Sequence, residues 1–368
     1  MGARRLPPRI GRRNAVALSA LIALLARPAA GQVRSEVVAT RPDGGSVQRH
    51  VLVNRRGTIV ELVDRGATLL RIALADGKGG VRDIVVGPGD YAALVATPRR
   101  YGGIVGRYAG RLRGHVMIGG QRHDLATNAA GVTLHGGDPG FDRAMWTSVP
   151  FQTRDVVGVV FTHVSRDGDQ RFPGTLTVTA RYALSRDSDT LTLDIVATSD
   201  RPTVANLTNH VYFDLSGGAG LACQTLAVDA AKRIALDARK LPMGAFEPVA
   251  VRLPHALATA VAAGGIDEMF VLGPTRTARL VDRASGLRLT LTTDQPGLQV
   301  YTGNGFDGSD RDRVGRPIRH FAGIALEPSN FPDAPNVAGF PDAVVAPGKP
   351  YRWRTTWRFD RTRPDSCR

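Results

Sequence analysis

Apolar and polar residues alternate with a period of two through most of this chain, in short runs that glycine, aspartate and proline interrupt. In residues 176–184 every second side chain is apolar, and threonine and arginine occupy most of the positions between them. A polar turn at 185–189 follows, and residues 191–197 repeat the alternation. Because successive side chains of a strand point to opposite faces, these runs predict an antiparallel hairpin with one apolar face.

Other runs predict further strands of the same kind. Residues 72–75 and 83–86, separated by a turn at 76–80, predict a second hairpin, and leucines alternate with polar residues in 287–291. In residues 351–359 the aromatic side chains share one face and arginines occupy most of the other. We expect this strand to be half-buried, with its aromatic face in the core rather than serving as a ligand platform.

Helical periodicity is confined to residues 256–263, which predict one short helix. No repeat of fixed length and no linker rich in proline and serine occurs between residues 32 and 368. Many short strands without linkers are typical of a single all-β domain. We therefore predict that residues 32–368 form one large antiparallel β-sandwich.

The first 31 residues have the pattern of an export signal. Six arginines and no acidic residue accompany an apolar stretch at 15–26, and small residues end the segment at Gly31. The stretch is too short to span a bilayer, and Arg12-Arg13 directly before it permits a twin-arginine signal. An N-terminal core helix or a membrane anchor is the alternative. We expect residues 1–31 to be removed and the protein to be periplasmic or secreted, without stable membrane insertion.

The chain is strongly basic, with 48 Lys+Arg against 33 Asp+Glu and a net charge of +15 over 368 residues. Such a charge raises the possibility of nucleic-acid binding. However, only four of the basic residues are lysines, and the arginines are dispersed without a run of five like charges. Removal of the signal would also lower the charge to 15 − 6 = +9. We interpret the arginines as the solvated faces of strands and expect no nucleic-acid partner.

Cysteine gives little information about function. Cys223 and Cys367 are the only two cysteines, and their positions match no zinc-binding spacing. Export would allow them to form one disulfide, although the position of Cys367 beside the end of the sequence gives no support for the pairing.

Four segments interrupt the strand pattern and contain most of the chemically distinctive residues. They are YGGIVGRYAGR at 101–111, TLHGGDPGFD at 133–142, LTNHVYFDLSG at 207–217 and GIALEPSNFPDAPN at 323–336, and two shorter ones, IDEMFVL at 266–272 and LQVYTGNGFDG at 298–308, accompany them. In this order the segments resemble those of the aldose 1-epimerases, also called galactose mutarotases. The resemblance extends from Gly66 to the final strand. It implies an antiparallel β-sandwich with a sugar cleft across one sheet, a free monosaccharide as substrate and no cofactor.

Interconversion of the anomers of a free sugar requires a base and an acid. The base removes the proton of the anomeric hydroxyl while the acid protonates the ring oxygen, and the open aldehyde then recloses from its other face. Glu327, which follows an apolar run and precedes a proline-rich loop, is the candidate base. His210 is the candidate acid, because the run Asn209-His210-x-Tyr212-Phe213 resembles the family motif. A structural salt bridge for Glu327 is the alternative.

The resemblance also implies four substrate-binding residues, Arg111, His135, Asp267 and Gln299. Three positions depart from the family pattern. Gly110 replaces the usual asparagine before Arg111, and Glu268-Met269 follow Asp267 where the family has histidine and asparagine. We therefore expect the preferred aldose to differ from galactose in some contacts. The nearby Arg107 is expected to be structural.

Several other functions are compatible with parts of this pattern. Glu327 and Asp267 would suit a two-carboxylate glycosidase, although His210 would then have no role. A metal site formed by His135, His210 and Asp267 is possible by residue type, although the sequence has no closely spaced histidine pair. A non-catalytic carbohydrate-binding protein and a related epimerase with another substrate complete the alternatives. The sequence does not distinguish a monomer from a homodimer.

Overall fold

The structure is a computed structural model that describes residues 31–76, 79–249 and 255–367. The expected signal at residues 1–31 therefore lies, except for Gly31, outside the described residues. Within those residues, no helix has the length and apolar character needed to cross a membrane.

The described ranges contain strands throughout. The strands of the first part are β1 Gln32–Thr40, β2 Ser46–Val53, β3 Ile59–Val63, β4 Thr68–Ala75, β5 Val81–Asp83, β6 Val85–Val86, β7 Ile104–Val105, β8 Arg111–Leu112, β9 His115–Ile118, β10 Gln121–Asp124, β11 Thr133–Leu134, β12 Thr147–Gln152, β13 Val156–Ser165, β14 Leu176–Ser185, β15 Thr190–Ser199 and β16 Thr203–Val204. Those of the second part are β17 Thr208–Asn209, β18 Tyr212–Phe213, β19 Gln224–Val228, β20 Ala230–Leu236, β21 Pro242–Pro248, β22 His255–Ala256, β23 Asp267–Leu272, β24 Thr277–Asp282, β25 Leu287–Thr293, β26 Gly297–Tyr301, β27 Asp307–Arg311, β28 Pro317–Arg319, β29 Ile324–Ser329, β30 Val344–Val345 and β31 Tyr351–Arg361.

Three antiparallel sheets organise the fold. The largest has nine strands in the order β12-β13-β14-β15-β31-β25-β24-β19-β22. A second has seven strands in the order β21-β20-β23-β26-β29-β18-β6, and β1 to β5 form a third in sequence order. One apolar cluster contains side chains from all three sheets, so the inner face of the nine-stranded sheet packs on the other two. The predicted all-β antiparallel sandwich is confirmed.

The hairpin predicted from residues 176–197 is confirmed as β14 and β15, which pair antiparallel along nearly their whole length. The final strand is also confirmed. In β31, Trp353 and Trp357 are fully buried in the main core, whereas the arginines at 352, 354 and 358 of the same strand are exposed. This strand lies between β15 and β25, so its aromatic face has neighbours on both sides.

The second predicted hairpin is only partly correct. β4 pairs with β5, but residues 85–86 form a separate strand, β6, that pairs with β18 in the seven-stranded sheet. The chain changes sheets at Ile84, which is fully buried and whose N–H still donates to Ile72. Two adjacent apolar runs therefore belong to different sheets, and the alternation pattern cannot distinguish this from one hairpin.

The helices are short. The predicted helix at 256–263 is confirmed as α2, Leu257–Ala262, and a further helix, α1, Tyr91–Ala96, was not predicted. Asp90 is the N-cap of α1, because its side chain accepts a hydrogen bond from the N–H of Ala93. Three short 3-10 helices lie at Asp169–Arg171, Leu221–Cys223 and Ala334–Asn336.

The two cysteines, whose positions did not indicate pairing, form a disulfide in the structure. Cys223 and Cys367 are 144 positions apart, with Cα atoms separated by 5.1 Å. The strands before Cys367 bring the C-terminal segment back across the nine-stranded sheet, where the N–H of Asp365 donates to the backbone carbonyl of Arg283. A short distance in space thus follows from strand pairing that the sequence positions do not reveal.

Candidate active site

A cleft of about 360 Å³ lies on the outer face of the seven-stranded sheet. Strand register determines which side chains face it. Gln299 of β26 lies opposite both Met269 of β23 and Glu327 of β29, and Tyr301 lies opposite Asp267. Because these residues are two positions apart within their strands, they share one face of the sheet.

The intervening residues of the same strands point the other way. Phe270, Leu298, Val300 and Leu326 are buried in the main core. The alternation therefore places apolar side chains under the cleft and polar side chains in it. A shift of one residue in register would exchange the two sets.

His210 enters the cleft from the link between β17 and β18. Its N–H donates to the carbonyl of Gly103, and its carbonyl accepts from the N–H of Gly102. The Asn209 side chain donates to the carbonyl of Gly102 at 2.6 Å and accepts from the N–H of Val211 at 3.0 Å. These hydrogen bonds fix the backbone on both sides of His210. They explain why an asparagine precedes this histidine.

Gly102 is required by this arrangement. It has a positive φ of 66°, and a Cβ atom there would lie 2.1 Å from the carbonyl oxygen of Leu69. Only glycine accommodates both the conformation and the close approach.

His210 and Glu327 lie against each other at the base of the cleft. The Nε2 atom of His210 is 3.6 Å from Oε1 of Glu327, and the two residues are 6% and 3% exposed. The Nδ1 atom of His210 is buried and makes no hydrogen bond to protein atoms. The centroid of the His210 ring lies 5.0 Å from that of the Tyr212 ring and 5.4 Å from that of the His135 ring.

Burial shifts both groups towards their neutral forms. It raises the pKa of Glu327 from 4.5 to about 8, and the negative charge of Asp267 acts in the same direction while Arg111 opposes it. Burial also lowers the pKa of His210 from 6.5 to about 4, assisted by the positive charge of Arg100. At a pH between these two pKa values, His210 and Glu327 together carry one ionisable proton. One member of the pair can then donate a proton while the other accepts one.

His135 is held by the backbone of the neighbouring strand connection. Its N–H donates to the carbonyl of Gly110 at 2.8 Å, and its Nδ1 accepts from the N–H of Gly110 at 3.2 Å. Because Nδ1 is an acceptor, the neutral ring carries its proton on Nε2. Burial and the nearby positive charges lower the pKa of His135 well below its ordinary value, so it remains neutral. Gly110, the departure from the family pattern, has a positive φ of 76°.

Asp267 and Gln299 form a hydrogen-bonded pair in the cleft. The Gln299 amide donates to Oδ1 of Asp267 at 2.8 Å, and Nζ of Lys240 is 3.5 Å from Oδ2. Arg111 lines the same cleft from β8, which pairs with β11 just before His135. All six predicted residues therefore line one cleft.

Several other residues line the cleft besides the six that were predicted. Tyr212 lies two positions after His210, and Tyr301 lies two positions after Gln299. Each tyrosine lines the same cleft as the residue before it, so the motifs around His210 and Gln299 already contained these two residues. Arg100, Lys240 and Met269 also line the cleft, and no motif indicated a role for the first two. Met269 was noted only as a departure from the family pattern.

Arg107 is buried away from the cleft. Its guanidinium donates to the carbonyls of Ser165, Pro173 and Gly174. These contacts agree with the structural role expected for it. In the parts of the chain that the structure describes, no three His, Cys, Asp or Glu side chains form a group able to hold a metal ion. His135, His210 and Asp267 therefore do not form the metal site considered above.

Comparison with protein families gives one match over most of the chain. The family profile of the aldose 1-epimerases matches residues 48–358. The chain is 32% identical to the galactose mutarotase of Mus musculus over 335 residues, covering 86% of this chain and 96% of that protein. It is also 32% identical to the aldose 1-epimerase of Escherichia coli K12 over 348 residues, covering 88% of this chain and 99% of that protein.

Solved structures show the same architecture. The crystal structure of galactose 1-epimerase from Lactobacillus acidophilus NCFM has a TM-score of 0.81 and 26% identity, covering 90% of this chain and 99% of that chain. A GalM/aldose epimerase homologue from C. elegans has a TM-score of 0.77 at 24% identity, covering 85% and 98% of the two chains.

Proposed function

The chain belongs to the aldose 1-epimerase family, and from this premise we propose that it is an isomerase that interconverts the α and β anomers of free aldoses such as galactose and glucose. The observation that carries the proposal is the buried His210–Glu327 pair, 3.6 Å apart at the base of a polar cleft. An acid and a base at this separation suit a reaction that moves one proton onto and one proton off neighbouring oxygens of a sugar ring.

The proton transfers follow from this pair. Glu327 removes the proton of the anomeric hydroxyl, His210 donates a proton to the ring oxygen, and the bond between C1 and the ring oxygen breaks to give the open aldehyde. After rotation about C1–C2, His210 removes the proton of the new hydroxyl as its oxygen attacks C1. Glu327 returns its proton to the former carbonyl oxygen, and the two side chains recover their initial protonation states.

The pKa shifts fit both halves of this cycle. With the proton on Glu327 and a neutral His210, the pair matches the stage at which the open aldehyde is bound. With an ionised Glu327 and a protonated His210, the pair matches the stages at which the sugar ring is closed. Burial favours the neutral form in the empty cleft, as the raised pKa of Glu327 and the lowered pKa of His210 indicate. A hydrogen bond donated by the anomeric hydroxyl to Glu327 favours the ionised carboxylate when sugar binds.

The other cleft residues suit recognition of an uncharged polyol. Asp267 accepts hydrogen bonds, Arg111 donates them, and the Gln299 amide does both. His135 is a neutral ring whose free Nε2–H is a donor. These residues would hold the sugar hydroxyls while Tyr212 and Met269 contribute apolar surface to the cleft.

We also propose that the protein is exported, with residues 1–31 as a removable signal and residues 32–368 as the functional domain. The basic and apolar pattern of the N-terminal segment supports export. The Cys223–Cys367 disulfide gives independent support, since disulfides persist mainly in oxidising compartments.

Polarimetry tests the catalytic proposal. Purified protein should accelerate the relaxation of freshly dissolved α-galactose or α-glucose to the anomeric equilibrium. Glu327→Gln and His210→Asn should each reduce the rate by about 10²–10⁴-fold, because each removes one proton-transfer group. Glu247→Gln and His123→Asn, at residues outside the cleft lining, serve as matched controls and should retain the full rate. A protein that binds these sugars without accelerating relaxation would instead be a carbohydrate-binding protein.

A further inference from the structure

Lys240 lines the cleft beside Asp267 and has no role in the proton transfers above. Its Nζ atom donates to the backbone carbonyl of Asp267 at 3.3 Å and lies 3.5 Å from the carboxylate atom Oδ2. The side chain is 42% exposed, so the ammonium group lies at the rim of the cleft, where an incoming ligand can reach it.

The backbone presents Lys240 in a strained conformation. Its φ is +61°, in the left-handed region that glycine and asparagine adopt more readily than lysine. The turn between β20 and β21 imposes this conformation. The Asp237 carboxylate accepts hydrogen bonds from the N–H groups of Arg239 and Leu241, and the N–H of Lys240 donates to the carbonyl of Asp237. A strained residue that aims a charged group into a cleft is a candidate for a binding role.

Lys240, Asp267 and Gln299 form a row of donor, acceptor and donor. Gln299 contacts Oδ1 of Asp267 and Lys240 approaches Oδ2, which leaves further lone pairs on both carboxylate oxygens. Each hydroxyl of a sugar both donates and accepts one hydrogen bond. Two neighbouring hydroxyls can therefore donate to the two oxygens of Asp267 while one accepts from Lys240 and the other from Gln299.

We propose that Lys240 is a sugar-binding residue that, with Asp267 and Gln299, binds a pair of neighbouring hydroxyls of the aldose. The inference rests on the proposed function, since it assigns a contact within the same cleft. Without Lys240, Asp267 and Gln299 would bind the two hydroxyls with one donor fewer.

Lys240→Met tests the proposal, because methionine keeps most of the length of the side chain and removes the ammonium group. For galactose, KM and the calorimetric dissociation constant should rise about tenfold with kcat nearly unchanged, as expected when a hydrogen bond from a charged donor is lost equally in ground and transition states. Lys240→Arg should recover most of this loss. Arg239→Met, at the adjacent residue that is absent from the cleft lining, is the matched control and should leave both constants unchanged.

A panel of 2-, 3-, 4- and 6-deoxygalactose identifies the contact. For one of these sugars Lys240→Met should have no effect, because the hydroxyl that it binds is already missing, and for the others the tenfold loss should remain. An equal loss with all four sugars would mean that Lys240 acts only by orienting Asp267, and an unchanged KM would mean no role in binding. Either result overturns the inference while leaving wild-type turnover intact. Failure of the proposed function would instead appear as absent turnover by wild-type protein, and calorimetry would still measure the effect of Lys240 on binding.

Discussion

Replacement of Glu327 by glutamine should stabilise the protein relative to the wild type, and this difference in the free energy of unfolding should grow as the pH rises. Glu327 is 3% exposed, and burial raises the pKa of its carboxyl from 4.5 to about 8. The folded protein therefore retains a proton that the unfolded chain releases between these values. In the wild type, the free energy of unfolding falls by about 1.4 kcal/mol per pH unit across this range because of Glu327 alone.

The full effect is 8 − 4.5 = 3.5 pKa units, or about 5 kcal/mol once the pH exceeds the folded-state pKa. Its sign follows from the raised pKa: the stabilisation is complete below the unfolded-state value and is lost as the pH rises through the folded-state value. Glutamine has no ionisable proton, so Glu327→Gln escapes this loss. The lowered pKa of His210 has the opposite pH dependence, but this contribution is present in both proteins and cancels in their difference.

Urea unfolding followed by tryptophan fluorescence measures the effect, because Trp353 and Trp357 are buried in the core. Between about pH 5.5 and about pH 7.5, the stability of Glu327→Gln relative to the wild type should increase by roughly 2–3 kcal/mol. Glu247→Gln, at an exposed carboxylate, is the matched control for the replacement of a carboxyl group by an amide. A pH-independent difference for Glu327→Gln, or one that decreases with pH, would refute the argument that burial keeps this carboxyl protonated.

The remaining predictions concern the pH dependence of activity and the disulfide. The pH profile of kcat/KM should be bell-shaped with limits at about 4 and about 8, because below the lower pKa both His210 and Glu327 are protonated and above the upper one neither is. A rate that is constant from about pH 3 to about pH 10 would exclude this pair as the acid and base. Replacement of Cys223 and Cys367 together by serine should lower the unfolding free energy by up to about 5 kcal/mol, since the bond closes a loop of 144 positions, while kcat/KM at the cleft stays unchanged. Equal urea midpoints for the two proteins would show that the bond contributes nothing to stability.

The sequence predicts the architecture well where one face of a strand is apolar. The alternation in 176–184 and 351–359 is strong because each strand separates a closely packed core from solvent. It fails at residues 85–86, where the strand is two residues long and both are half-buried. It also fails at α1, whose six residues include one buried side chain, Leu94, and so carry no helical periodicity.

The candidate site was predictable in its residues but not in its geometry. The motifs indicated His210 and Glu327, yet their 3.6 Å separation depends on how the loop after β17 meets β29, 117 positions further along the chain by residue number (327 − 210). Lys240 gave no signal, because an exposed lysine after a strand is ordinary and its position beside Asp267 arises only when β20 pairs with β23. Pairing between distant segments is the information that the local pattern lacks.

The position of β31 has a consequence for how the chain acquires its structure during synthesis. It follows every other described strand in sequence, yet it occupies the middle of the nine-stranded sheet, between β15 and β25. Until it emerges from the ribosome, β15 and β25 each present an unpaired edge, and such edges associate readily with other chains. Because β31 also donates a hydrogen bond from Trp353 to the carbonyl of Pro328, directly after Glu327, the nascent chain can complete neither its largest sheet nor the support beneath its candidate base before this last strand is made.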